Sequence, residues 1–161
     1  MSKILNIKDA IKASENLKKN KKTVVICGGC FDILHIGHIK FLKNAKEKGN
    51  SLFVLLENDK NVNKLKGEKR PINPQKERAE VLASVEFVDY IVMLNEMKTN
   101  TDYDNLIYSL KPDIIAITKD DPQKAHNLRQ AKMINAKVVS VINRIKNKST
   151  SGLADLIYKK F

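Results

Sequence analysis

Five short apolar runs punctuate the chain, at residues 23–27, 51–56, 90–94, 114–117 and 137–141, and between them apolar residues recur at helical spacing. The best of the runs carry no polar alternation, so they predict strands covered on both faces. Residues 4–19 place Ile4, Ile7, Ala10, Ile11, Ala13 and Leu17 on one side with lysines between, which predicts an amphipathic helix that packs as a lid. A second helix is expected over 38–48, with Ile39, Leu42 and Ala45 inward and Gly49 closing it. Pro74 suits the first turn of a third, running through Arg78, Val81 and Leu82. Further helices are expected near 102–110, 122–135 and 153–158. Residues 57–73 are polar and strongly basic and end in Arg70-Pro71-Ile72-Asn73, which predicts a mobile loop over a site. Strands alternating with helices give an α/β class: a Rossmann-like, doubly wound, parallel five-stranded sheet with helices on both faces. In such sheets ligands lie at the carboxyl ends of the strands, where the strand order reverses.

Composition narrows this picture without redrawing it. A chain of 161 residues with 42% hydrophobic content can bury one respectable core, so one domain over 1–161 is expected, an N-terminal helix within 1–20 preceding a core over 23–161. No apolar run approaches bilayer length and the start Met1-Ser2-Lys3-Ile4 has no signal-peptide core, so the expectation is a cytoplasmic protein without a membrane segment. Cys27 and Cys30 form a lone C-x-x-C, the spacing of a redox pair or half a zinc site. Cys27 would end a buried strand and no second pair exists, so no metal ligands are assigned. The net charge of +12 draws polyanions and steers phosphorylated substrates. An aromatic share of 6% with no Trp leaves few stacking platforms, which argues against nucleic acid as the partner.

The chemistry concentrates in Gly28-Gly29-Cys30-Phe31-Asp32-Ile33-Leu34-His35-Ile36-Gly37-His38, directly after the first predicted strand. Glycines let backbone N–H groups approach an anion, and two histidines three apart at a helix start share one side. That is equipment for a nucleoside triphosphate. The bland alternative for the same pair is one capping or buried histidine and one surface histidine; His126, alone in a polar helix, keeps that bland assignment.

The strand, the G-x-F-D turn and His-x-Gly-His resemble the cytidylyltransferase-like nucleotidyltransferases, and more of that pattern follows in order. Lys64-Leu65-Lys66-Gly67, Arg70-Pro71-Ile72-Asn73 and Glu77-Arg78 precede Arg144, which is followed five residues later by Ser149-Thr150-Ser151, similar to the family's closing R-x-x-x-x-S-T-T/S. The likeness covers about residues 3–157 and is strongest to the adenylyltransferase domain of bacterial ADP-heptose synthases; glycerol-3-phosphate cytidylyltransferases and archaeal FAD synthases resemble it less. Class I aminoacyl-tRNA synthetases share the histidine motif, but this chain is too short to hold an anticodon domain as well. It departs from the heptose enzymes at Thr118-Lys119-Asp120-Asp121-Pro122, where they have a glycine-rich turn, and at Asn147-Lys148 in the closing motif. Acceptor identity is therefore left open.

The resemblance implies transfer of a nucleoside monophosphate to a phosphorylated small molecule with release of pyrophosphate, most simply adenylyl transfer to a heptose 1-phosphate-like sugar. Alternatives are cytidylyl transfer to glycerol 3-phosphate, adenylyl transfer to FMN, or a non-catalytic nucleotide- or RNA-binding module. His35, His38, Lys66 and Arg144 are the expected catalytic groups, all serving charge and alignment. Gly29, Cys30, Phe31, Gly37, Ser149, Thr150 and Ser151 are expected around the nucleotide, the last three at a helix N-terminus suited to β- and γ-phosphates. Asp32, Lys64, Arg78, Asp120 and Asp121 are expected near substrate, although Asp32 also suits a turn-orienting role and Arg78 an ion pair. ATP or CTP would bring Mg²⁺ held by phosphate oxygens and water. Relatives commonly pair, so a homodimer is expected.

Overall fold

Because apolar residues fill both sides of the central strands, the chain stacks them into one parallel sheet and covers each face with helices. The computed structural model describes residues 2–143, 145 and 149–160, without the side chains of Thr150, Ile157, Lys159 and Lys160. In chain order the elements are β1 (Ile4–Leu5), α1 (Ile7–Lys19), β2 (Val24–Gly29), α2 (Ile36–Lys46), β3 (Ser51–Leu56), α3 (Asp59–Lys66), α4 (Gln75–Ala83), β4 (Tyr90–Met93), α5 (Asn100–Leu110), β5 (Ile114–Thr118), α6 (Lys124–Ile134), β6 (Lys137–Ile142) and α7 (Thr150–Lys160). The sheet order is β1-β4-β3-β2-β5-β6, every pair parallel. The order reverses at β2, whose neighbours are β3 and β5. The doubly wound α/β class predicted from the alternation is therefore the fold.

Two cores result, one per face. Val24, Ile26, Phe53, Leu55, Ile115 and Ile117 pack with α1, α5 and α6, while Val25, Cys27, Leu52, Val54, Leu56 and Ala116 pack with α2 and α4. All six residues of β3 are buried, as expected for a strand with no solvent face.

Two differences from the sequence-based expectation are informative. The sheet has six strands, because the chain starts with β1, where Ile4 and Leu5 register with Ile91 and Val92 of β4. The N-terminal helix thus begins at Ile7 instead of residue 4, capped by Asn6, whose side-chain oxygen accepts from the Asp9 N–H at 2.9 Å. Residues 57–73 are not wholly loop: Asn58 caps α3 by accepting from the Lys60 N–H at 2.8 Å, and Gly67 ends it at φ 100°, a conformation L side chains resist. Among the described residues no helix is long and apolar enough to cross a membrane.

Candidate active site

The carboxyl end of β2 runs into the glycine turn at the point where the sheet order reverses. The Glu57 N–H donates to the Gly29 carbonyl at 3.1 Å, tying this turn to the end of β3. A Cβ on Gly29 would meet the Phe31 ring at 2.8 Å, so the absence of a side chain there lets that ring fold back. Phe31 itself, at φ 44°, is buried with its ring 5.3 Å from the His38 ring. It props the histidine from behind.

His35 is the N-cap of α2, and its Nδ1 accepts from the Gly37 N–H at 3.1 Å. A neutral ring that accepts at Nδ1 carries its proton at Nε2. A Cβ on Gly37 would lie 2.9 Å from His35 Cε1, so glycine is what lets the imidazole lie across the helix start. The His35 and His38 ring centroids are 3.9 Å apart and tilted by 30°. Burial, and then the adjacent His35, push the His38 pKa down from 6.5 to about 4, against a backbone hydrogen bond to Ile33. His38 is therefore neutral at pH 7.

The basic segment is fastened to this turn by the Asp32 carboxylate, which is only 3% exposed. It receives Arg70 Nε at 2.6 Å and the Ile72 and Asn73 N–H groups at 2.9 Å each, while Asn73 Nδ2 donates to its carbonyl at 2.8 Å. Burial alone would raise the Asp32 pKa, but the Asn73 and Ile72 N–H groups and the Arg70 guanidinium hold it below the usual carboxylate range. With both oxygens spent on protein donors, Asp32 orients the turn and does not face substrate.

Arg78 takes the ion-pair alternative, with Asp59 as its carboxylate, and is buried where a surface pair was expected. It is 1% exposed, and donates to the carbonyls of Cys30, Asn73 and Glu57 and to Asp59 Oδ1. The expected phosphate fork is a buried clamp joining the turn, the α3 entry and α4. Lys64 pairs with Glu96 at 3.1 Å on the surface, whereas Lys66 faces the cleft beside this turn. Lys66, Lys69, Arg70 and Ser151 line a cleft of about 270 Å³ between the basic segment and α7. Arg70 Nη2 is buried with no hydrogen-bond partner. Tyr158 closes the far side, its hydroxyl donating to the Lys69 carbonyl at 2.9 Å.

The closing motif reaches the same region. Ile145 Cδ1 stands 3.9 Å from where a Gly37 Cβ would be, and Ser149 Oγ accepts from the Gly152 N–H at 3.1 Å, capping α7. Arg144, Asn147, Lys148 and the Thr150 side chain lie outside the described residues. Across the sheet reversal, Asp120 is exposed and Asp121 accepts from the Gln123 N–H at 2.7 Å at the start of α6. His126 sits in a network with Asp104, Arg129 and Gln130 away from the turn. Cys30 and Cys27 are free thiols; burial pushes Cys27 up to about 12 and raises Cys30 as well, although the Lys66 charge opposes the latter.

One group escaped the sequence. The Glu57 carboxylate, one residue beyond β3, accepts from the Tyr103 hydroxyl at 3.0 and 3.1 Å, and Asn61 Nδ2 donates to that hydroxyl at 2.9 Å. Glu57 and Tyr103 are 46 positions apart, so no local spacing could pair them.

Chemically, the glycine turn offers a pair of imidazoles at the switch point of the sheet, and the cleft offers Lys66 and the first turn of α7, groups that suit charge on phosphate oxygens. Residues 26–156 match the cytidylyltransferase-like family model. The bifunctional protein HldE of Nitratiruptor sp. is 43% identical over 142 residues, 88% of this chain and 29% of that protein. The HldE of Campylobacter concisus is 41% identical over 153 residues, 92% of this chain and 31% of that protein. The chain thus spans about three-tenths of the length of these relatives. The FAD synthase of Thermococcus sibiricus is 43% identical over 128 residues, 78% of this chain and 84% of that protein. Among solved structures, a lipopolysaccharide core biosynthesis protein from Thermoplasma volcanium superposes with TM-score 0.62 at 26% identity, covering 79% of this chain and 99% of that one. A pantoate-β-alanine ligase from Francisella tularensis, at 19% identity and TM-score 0.66 over 99% of this chain and 78% of its own, shares the fold.

Proposed function

The chain belongs to the cytidylyltransferase-like family of nucleotidyltransferases, and from that membership we propose that it transfers an adenylyl group from ATP to a sugar phosphate, with release of pyrophosphate. The observation that carries the proposal is the stacked His35–His38 pair, 3.9 Å between centroids, at the start of α2 beside the glycine turn. A redundant surface pair would not be built with a glycine shaped to hold one ring and a buried phenylalanine behind the other.

In this reading an oxygen of the acceptor phosphate attacks the α-phosphorus of ATP, and the bond to the bridging oxygen of pyrophosphate breaks. No protein nucleophile is required, because the acceptor is already anionic near neutral pH. The His35 and His38 rings supply hydrogen bonds to α-phosphate oxygens as charge builds there, and His38, whose single neutral-form proton is engaged by Ile33, gains its second donor by protonation as the anion binds. Lys66 and the N-terminus of α7, with Ser149 and Ser151, take the β- and γ-phosphates, and Arg144 would join them. Mg²⁺ enters as the ATP complex, held by phosphate oxygens and water; among the described residues no group of three His, Cys, Asp or Glu side chains converges on a cation site.

The match to FAD synthase over most of that protein's length supports a second reading, adenylyl transfer to FMN. Pyrophosphate release from ATP or CTP, each paired with a heptose 1-phosphate, glycerol 3-phosphate or FMN, separates them. The expected result is turnover with ATP and the sugar phosphate, abolished at least a hundredfold by His38→Ala. Turnover confined to CTP or to FMN overturns the sugar reading. No turnover with any pair, together with RNA affinity indifferent to His38→Ala, would make the chain a binding module.

A further inference from the structure

The Glu57 carboxylate does nothing in the chemistry described above, yet it sits at the ligand-binding end of the sheet. Its backbone is bonded to Gly29 of the nucleotide turn at 3.1 Å. Its side chain is half-buried and has no ion-pair partner within 4.0 Å among the described residues. Arg78, the cation whose charge it feels, is spent on carbonyls and on Asp59. A carboxylate has about four acceptor positions. Here one phenolic proton, shared between both oxygens, and one long Asn61 contact at 3.4 Å occupy them, so acceptor capacity is unspent.

The orientation is imposed from two sides. Asn61 Nδ2 donates to the Met97 carbonyl at 3.0 Å and to Tyr103 at 2.9 Å, which fixes the amide and leaves its Oδ1 buried with no partner. Burial raises the Glu57 pKa despite the Tyr103 and Asn61 hydrogen bonds and the Arg78 charge. An under-used, desolvated carboxylate at the ligand-binding end of the sheet is a candidate functional group. Cys30, in the glycine turn, feels both the Lys66 ammonium, which lowers its pKa, and this carboxylate, which raises it.

We propose that Glu57, aligned by Tyr103 and Asn61, receives hydroxyl groups of the acceptor and so selects a polyhydroxylated phosphate ester. The inference rests on the nucleotidyltransferase reading above. The acceptor's hydroxyls lie toward Glu57, and a second phosphate placed there would be repelled. Glutamine keeps an oxygen for Tyr103 but loses the charge, so Glu57→Gln preserves the brace and weakens the receptor.

The test is steady-state kinetics with ATP and a heptose 1-phosphate, with thermal unfolding as the check on folding. In Glu57→Gln the KM for the sugar phosphate should rise roughly tenfold to a hundredfold, with the KM for ATP within about twofold of wild type. Tyr103→Phe, which keeps the carboxylate and loosens it, should raise the same KM by less. Both KM values rising together, or neither rising, overturns the role of Glu57 while leaving nucleotidyl transfer intact. A wild-type protein that forms no nucleotide sugar from any sugar phosphate instead overturns the reading beneath it.

Discussion

A half-buried histidine stacked on another histidine binds a proton poorly, and this gives His38 a measurable signature. Its pKa is pushed down from 6.5 to about 4 by burial and then by His35. Between those values the unfolded chain holds a proton that the folded chain does not. Stability from this group is therefore complete above pH 6.5 and is lost as pH falls toward 4. Replacing His38 with glutamine removes the titration. Urea melts at pH 7 and pH 4.5 should show a smaller loss of stability on acidification in His38→Gln than in wild type. Asp32, with its pKa held low, loses its contribution only at more acidic pH and does so in both proteins. Equal losses in the two would mean that the ring titrates near its ordinary value. The two histidines were legible as a pair because their spacing is local. A capping histidine was among the alternatives the spacing allowed, but which ring caps, and that Gly37 makes room for it, was not legible, since capping by a ring nitrogen leaves no sequence pattern.

At the scale of elements, the end of the basic segment that follows β3 is pinned to the glycine turn by the Arg70–Asp32 ion pair. Arg70 is 6% exposed and donates to Asp32 at 2.6 Å, so removing the carboxylate strands a buried guanidinium. Asp32→Ala should cost about 3–5 kcal/mol in urea unfolding. It should also expose the chain near Lys66 to proteases, because the Ile72 and Asn73 N–H groups lose their acceptor with it. A cost under about 1 kcal/mol, the range of exposed pairs, would show that Asp32 is not the pin. The strands of this fold were readable because doubly covered strands are continuous apolar runs, and residues 51–56 match β3 end to end. Helix α3 was hidden for the opposite reason. It buries only Asn61 and Val62, so it has no apolar stripe, and its sole sequence signals are the Asn58 cap and the Gly67 stop. Strand β1 is two residues long, and Ile4 with Ile7 imitated helical spacing. Arg78 and Glu57 were misread or missed because burial and long-range partners, not residue type, decide what a charged side chain does.

For the molecule as a whole, the groups proposed to hold ATP come from three distant stretches, the glycine turn, the segment after β3 and the start of α7. In the structure Asp32 pins the first two together, while the closing stretch meets them through thin contacts, Ile145 against Gly37 and Tyr158 to the Lys69 carbonyl. A triphosphate touching all three would cross-link them, and a ligand that binds only the folded state stabilises it by mass action. At a hundred times its Kd, ATP with Mg²⁺ contributes about 2.7 kcal/mol. For a chain of this size each kcal/mol raises Tm by roughly 2–4 °C, so the expected shift is roughly 5–11 °C. The net charge of +12 alone would also draw polyanions, but that attraction is long-ranged and is screened at 0.5 M salt. Seated contacts are screened much less. Differential scanning at low and high salt therefore separates the two causes: a Tm shift that survives salt, and that His38→Ala diminishes, comes from the assembled site. A shift of equal size with any polyphosphate, erased by salt and indifferent to His38, would come from surface charge, and the three stretches would not form one nucleotide pocket.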